Sequence, residues 1–228
     1  MLCDNVISPR GAAALSDALQ TLPKLQELDL SGNMLGDKGL HGLLGVITAG
    51  RLEVLHLADN GLGPAAGITL AAALPQAVCL RELGLADNTL ADAGCMGLAG
   101  ALAAGTRVQV LELGRNGIGA AGASALADAI IAGANLEALL LDGNPLTDAG
   151  ASSLAACLKG GTMALRTLHI QSAGISSDGG SALAAAVAAQ RGSAGQLGVL
   201  RLQGNFMGDC TKKKLRTACK GAEVELEV

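Results

Sequence analysis

Aromatic side chains are nearly missing from this chain: among 228 residues Phe206 stands alone, with no Trp and no Tyr. Globular cores draw much of their bulk from aromatics, so the buried material here has to be aliphatic. Half of the residues are hydrophobic and 33 are Gly, a mixture that lets thin layers of Leu, Ala and Gly approach closely. Long apolar runs are also missing. The positive mean hydropathy comes from Ala and Leu spread evenly along the chain, and stretches such as Ser181 to Ala189 fall far short of the roughly 20 residues of a membrane-spanning helix. The opening M-L-C-D-N-V-I-S-P-R has no cationic region followed by an apolar one, as a secretory leader would. A soluble, cytoplasmic protein with no membrane contact is expected. An excess of positive charge is lacking too. The net charge of -4 opposes nucleic-acid binding, which needs a basic face to neutralise phosphates.

The signatures of metal and nucleophilic chemistry are equally scarce. The six cysteines, Cys3, Cys79, Cys95, Cys157, Cys210 and Cys219, form no C-x-x-C pair. They read as small buried apolar residues in a reducing compartment, with a Cys210–Cys219 pair as the minor alternative. No H-E-x-x-H, Cys/His cluster or G-x-S-x-G occurs, so no catalytic residue, metal or cofactor is expected. One G-x-G-x-x-G, Gly117 to Gly122, follows a strand pattern and opens a helix pattern, with Glu137 20 residues beyond Gly117. Equivalent glycines recur elsewhere as Gly36/Gly39 and Gly61/Gly63, so a repeating structure accounts for them without a dinucleotide. The run Lys212 to Arg216 reads as a solvated helix face rather than a nuclear-import signal, because Leu215 within it occupies a core position.

What the chain does contain is a phrase said over and over. L-Q-E-L-D-L-S-G-N (Leu25 to Asn33), L-R-E-L-G-L-A-D-N (Leu80 to Asn88) and V-Q-V-L-E-L-G-R-N (Val108 to Asn116) are its clearest copies. The closing Asn recurs at 5, 33, 60, 88, 116, 144 and 205, and L-R-T-L-H-I-Q-S-A (Leu165 to Ala173) keeps the spacing without it. Counting Ala173, the intervals are 28, 27, 28, 28, 28, 29 and 32 residues. Alternation at Leu28/Leu30, Leu55/Leu57 and Leu83/Leu85 predicts a short strand with one buried face. The Asn amide suits a bend in which backbone groups need partners. Ten and fourteen positions after each Asn or its equivalent lie apolar pairs from Leu15/Leu19 to Leu215/Cys219, a spacing of four that puts both on one helix face. One such unit cannot bury its apolar face alone, whereas a stack of about eight can. Strands about 4.8 Å apart against helices about 10 Å wide make a curved solenoid.

The phrase L-x-x-L-x-L-x-x-N on a 28- to 29-residue unit resembles leucine-rich repeats of the ribonuclease-inhibitor subtype. The resemblance implies an α/β leucine-rich repeat horseshoe, with a parallel sheet on the concave face and helices on the convex face. It also implies a family dominated by protein-binding modules. One domain spanning residues 1–228 is expected. Its first unit is truncated, because Leu2-Cys3-Asp4-Asn5 aligns with Leu30-Ser31-Gly32-Asn33, and residues 206–228 form a C-terminal cap. A four-residue excess near Ala188 to Gln196 predicts a longer outer loop.

The solvent-facing strand positions define the candidate partner-binding wall. One column holds Glu27, Val54, Glu82, Val110, Ala138, Thr167 and Val199, and the next holds Asp29, His56, Gly84, Glu112, Leu140, His169 and Arg201. The wall is expected to be acidic toward the N-terminal units, small and apolar near Val110, Ala138 and Leu140, and mildly basic by Arg201. His56 and His169 lie four units apart, about 19 Å at strand spacing, too far to share a metal. A non-enzymatic scaffold binding a protein is the leading expectation. Two alternatives accompany it. Asp59 to Gly67 resembles the N-N-G-L-G-P stretch of Ran GTPase-activating proteins, although Asp59 stands where that family has Asn and would oppose phosphoryl-transfer electrostatics. The truncated first unit suggests the sensor end of a larger nucleotide-binding innate-immune receptor.

Overall fold

The computed structural model describes residues 2–159, 164–190 and 196–228. Among the described residues α-helices and strands alternate, with one short 3-10 turn, Leu74–Gln76, after the third helix. The helices are α1 (Pro9–Gln20), α2 (Gly36–Thr48), α3 (Pro64–Ala73), α4 (Ala91–Ala103), α5 (Ala120–Ile131), α6 (Thr147–Leu158), α7 (Ser177–Ala189) and α8 (Asp209–Gly221). The strands between and after them are β1 (Glu27–Asp29), β2 (Val54–His56), β3 (Glu82–Gly84), β4 (Val110–Glu112), β5 (Ala138–Leu140), β6 (Thr167–His169), β7 (Val199–Arg201) and β8 (Glu225–Glu227). The eight strands form one open parallel sheet in sequence order, as the repeat predicts. Leu2 and Asp4 donate backbone bonds of 2.9 Å to Asp29 and Ser31, extending the ladder onto the first phrase in the expected alignment.

The core is one continuous aliphatic stack. Inward strand residues Leu28, Leu55, Leu83, Leu111, Leu139, Leu168 and Leu200 are buried, and so are the paired helix residues from Leu43/Ile47 to Leu215/Cys219. At the first helix only Leu19 of the Leu15/Leu19 pair is buried. Three cysteines, Cys95, Cys157 and Cys219, are core residues as expected, but Cys79 and Cys210 are exposed and Cys3 is half-buried. The expectation of uniform cysteine burial is corrected there: Cys79 sits on the loop entering β3, and Cys210 on the solvent side of α8. Burial pushes the Cys95 and Cys157 thiols up to about 12 and the Cys219 thiol to about 11, which holds all three in the unreactive thiol form. The longer outer loop expected near Ala188 to Gln196 lies, over residues 191–195, outside the described residues.

Five of the phrase-closing asparagines, Asn33, Asn60, Asn88, Asn116 and Asn144, are buried, and they knit neighbouring units together. Asn88 Nδ2 donates to the carbonyls of Leu85 (3.0 Å) in its own unit and Leu57 (3.0 Å) in the preceding one, while its Oδ1 accepts from Asn60 N–H (3.1 Å) and Leu62 N–H (2.9 Å). Asn144 repeats the pattern with Leu113, Leu141, Asn116 N–H and Ile118 N–H. The ladder breaks once. Where Ala173 replaces Asn, Leu146 N–H turns to the Asn144 carbonyl instead, at 2.8 Å.

The structural repeat is a pair of units. Gly36, Ala91 and Thr147, at every second unit, take left-handed φ values of 54°, 51° and 59°, and their N–H groups donate to the carbonyls of Asn60, Asn116 and Ala173. The Asp that follows each of them caps the helix of the next unit. Asp37 accepts from Gly63 N–H (2.7 Å), Asp92 from Gly119 N–H (2.7 Å) and Gly122 N–H (2.9 Å), and Asp148 from Ser176 N–H (2.7 Å) and Gly179 N–H (3.0 Å). The hydrogen bond from the Ser176 hydroxyl is the main influence that holds the Asp148 carboxyl below the usual range. Each capping carboxylate also meets the positive end of the helix it caps.

Candidate functional site

The sheet register places the expected wall residues in two straight columns. Glu27, Val54, Glu82, Val110, Ala138, Thr167 and Val199 are successive register partners, as are Asp29, His56, Gly84, Glu112, Leu140, His169 and Arg201. Glu27 is exposed and the others are half-buried, except Gly84, which is buried. Their backbones are committed to the ladder, so the wall presents only side chains, on a frame that two parallel neighbours hold rigid.

Charge on this wall is partly paired. His56 Nε2 lies 2.9 Å from Glu82 Oε1. Asp29 accepts from Ser31 N–H at 3.0 Å. Burial works to raise the Asp29 carboxyl, yet the bonds from Ser31 outweigh it and hold it below the usual range. On the bend beyond the columns, Arg115 forks the Asp87 carboxylate, with Nη2 to Oδ2 at 2.6 Å, and that hydrogen bond lowers the Asp87 carboxyl. Between these groups Val54, Val110, Ala138, Leu140 and Val199 leave small apolar faces half-exposed.

One expectation changes at the C-terminal end. Glu225 and Glu227 of β8 continue the two columns as partners of Val199 and Arg201, and Glu227 Oε2 lies 3.4 Å from Arg201 Nε. The mildly basic end expected at Arg201 is therefore neutralised. The alternating Glu residues in E-V-E-L-E-V carried that signal in the sequence, because a last strand in register has to place them in the columns.

His169 is the most enclosed titratable group on the wall, its side chain 12% exposed and its Nδ1 3.8 Å from Asp142 Oδ2. Burial lowers its pKa below the ordinary value of 6.5, against the opposing pull of Asp142 and Glu227 and with Arg201 reinforcing it. A depressed folded-state pKa means the unfolded chain takes up the proton first. The stability that neutral His169 contributes is complete above the unfolded value and is lost as pH falls below it. Between pH 7.5 and 5.5 the wild-type unfolding midpoint should drop further than that of His169→Gln; parallel drops would remove His169 from the acid sensitivity.

The G-x-G-x-x-G stretch has its anion position filled from within. The N–H groups of Gly119 and Gly122, at the start of α5, both bond Asp92 Oδ1, so a carboxylate of the chain stands where a pyrophosphate would sit. His41 is exposed on α2, on the opposite layer from His56 and His169. Among the described residues no group of three His, Cys, Asp or Glu side chains is placed to hold a metal ion, and no helix is long and apolar enough to cross a membrane.

Because every helix leads into a strand of one parallel sheet, all eight point the same way, and charge separates with them. Asp37, Asp92, Asp148, Asp178 and Asp209 occupy first turns. Lys24, Arg51, Arg81, Arg107 and Arg166 stand on the opposite rim, where the chain returns from helix to strand. The acids meet helix N-termini, whereas the bases lie beyond the last helical turns, in the segments that lead to the strands.

Comparison with known proteins places these features in context. A family model described as Leucine Rich repeat matches residues 21–44, 52–71, 76–99, 107–127, 134–155 and 163–184, more than half of the chain. Tonsoku-like protein of Bos taurus is 43% identical over 77 residues, a stretch covering 32% of this chain and 6% of that protein. The chain thus spans a small part of the length of this curated relative.

Proposed function

Since the chain belongs to the leucine-rich repeat family, we propose that it is a non-enzymatic protein-binding module of the ribonuclease-inhibitor subtype, acting as a scaffold in the cytoplasm. Its concave wall receives a partner protein. The observation that carries this reading is the pair of register columns: a rigid, backbone-saturated sheet offering half-exposed Val110, Ala138 and Leu140 between Glu82, Glu112 and the charged rows beside them. Protein interfaces combine such an apolar centre with a polar rim. The 28-residue unit with a full helix behind each strand supports the subtype. The non-enzymatic reading is supported by how the reactive groups are used, with three thiols buried and the Asp92 carboxylate spent on a helix start.

The test uses a Val110→Glu/Leu140→Glu double variant. Both side chains face solvent from adjacent strands, so circular dichroism should match wild type. Affinity capture after cross-linking should then lose, by at least tenfold, the partner that wild type retains, because two carboxylates would be forced into a dry contact. A partner held equally by both proteins would remove the concave wall from recognition.

A further inference from the structure

On the helix-to-strand rim a cleft of about 360 Å³ is lined by Arg81, Arg107, Gln109, Asn135, Glu137 and Ala164. Arg81, Gln109 and Glu137 are the residues that immediately precede β3, β4 and β5, and their backbones are locked together. Gln109 N–H donates to the Arg81 carbonyl and Glu137 N–H to the Gln109 carbonyl, each at 2.7 Å. Side chains therefore enter the cleft from a fixed ladder.

The arginines of this rim fall into two groups. Arg51 Nη2 donates to the Gln20 carbonyl at 3.0 Å, and Arg166 Nη1 to the Gln196 carbonyl at 3.3 Å, so both satisfy the backbone. Arg81 and Arg107 make no side-chain hydrogen bond or ion pair among the described residues. Both side chains line one cleft, whose lining holds a single acid. That acid, Glu137, is drawn aside by Gln109 Nε2 at 2.8 Å. Next to Arg107, Thr106 is 6% exposed and its Oγ1 has no partner, and its carbonyl accepts from Asn135 Nδ2 at 3.4 Å. Two unspent guanidinium groups beside one engaged carboxylate leave a net positive charge and unused donors in a concave space.

We propose that this cleft binds an oxyanion of the phosphate class, held between Arg81 and Arg107. Guanidinium forks match the planar spacing of phosphate oxygens and bind them bidentately, and Glu137 sets an upper limit on affinity by repulsion. The site is separate from the concave wall, so its failure and the failure of the protein-binding reading are distinguishable.

The experiment is calorimetric titration of the full chain with inorganic phosphate, with O-phosphoserine in a second arm, against chloride at matched ionic strength. Wild type should bind phosphate with millimolar affinity, and Arg81→Gln/Arg107→Gln should weaken it at least tenfold. Glu137→Gln, which removes the opposing charge, should tighten it several-fold, a gain that diffuse attraction to a basic rim would not localise. A Lys213→Gln/Lys214→Gln control on α8 should bind as wild type does. Tighter binding of O-phosphoserine identifies a phosphate borne on a side chain, and tighter binding of inorganic phosphate a free ion; either supports the site. A phosphate response no greater than that of chloride would overturn it. So would unchanged binding in the double arginine variant, including the case where that variant only lowers the melting temperature and the arginines serve solely the fold.

Discussion

Asn144→Ala is expected to destabilise the fold by about 3 kcal/mol, at roughly 1–3 kcal/mol for each buried group left without a partner. Asn144 is 1% exposed, and its loss orphans the N–H groups of Asn116 (2.9 Å) and Ile118 (3.0 Å) together with one bond at each of the Leu113 and Leu141 carbonyls. Water cannot reach these groups between packed units. Asn5 occupies the same place in the phrase but is exposed, bonding only the Leu2 and Cys3 carbonyls, and Asn5→Ala should stay within about 0.5 kcal/mol of wild type. Denaturant unfolding followed by circular dichroism measures both. Equal losses in the two variants would show that the ladder is not what the amide contributes. The break at Ala173 indicates how a unit can tolerate the change: the affected N–H there belongs to Leu146, whose bend lets it bond the Asn144 carbonyl.

Gly67→Ala should destabilise by about 3 kcal/mol, at the upper end of the roughly 1–3 kcal/mol range for overpacking, because no side chain is available to move aside. A methyl group at Gly67 would lie 2.6 Å from both Cα and the carbonyl oxygen of Gly94, so α3 and α4 would have to separate as whole helices. Gly100, exposed on α4 with nothing within 4 Å of the same added methyl, provides the opposite case. Gly100→Ala should raise stability by about 0.5–1 kcal/mol through helix propensity alone. Thermal unfolding of the two variants should therefore move in opposite directions. A Gly67→Ala protein melting with wild type would mean that the helix layers are looser than their contacts indicate.

Much of the concave wall was legible in the sequence because a strand has a period of two: once Leu28 and Leu30 point inward, Glu27 and Asp29 have to point outward, and a parallel register stacks each unit on the last. What escaped was the relation between distant units. The Asp caps at 37, 92 and 148 are visible as letters, yet each serves a helix start 26 or more residues away. Nothing in a single unit announces that its carboxylate is used by the next. The Arg201–Glu227 pairing was hidden for the same reason, since its partners belong to different strands. Cys79 and Cys210 are exposed where residue type alone predicts burial, because composition averages over positions, whereas burial is a property of one face.

By itself the sequence determined the solenoid, its strands and helices, the aliphatic core and the identity of the wall residues, because those follow from local periodicity repeated at a constant interval. Only the tertiary structure decided which of those residues still have unspent capacity. Hydrogen bonds and ion pairs join side chains from separate units, and the same Arg is neutralised at 201, engaged with a backbone carbonyl at 51 and, among the described residues, left without a side-chain partner at 81 and 107 according to what the neighbouring turn of the solenoid brings beside it.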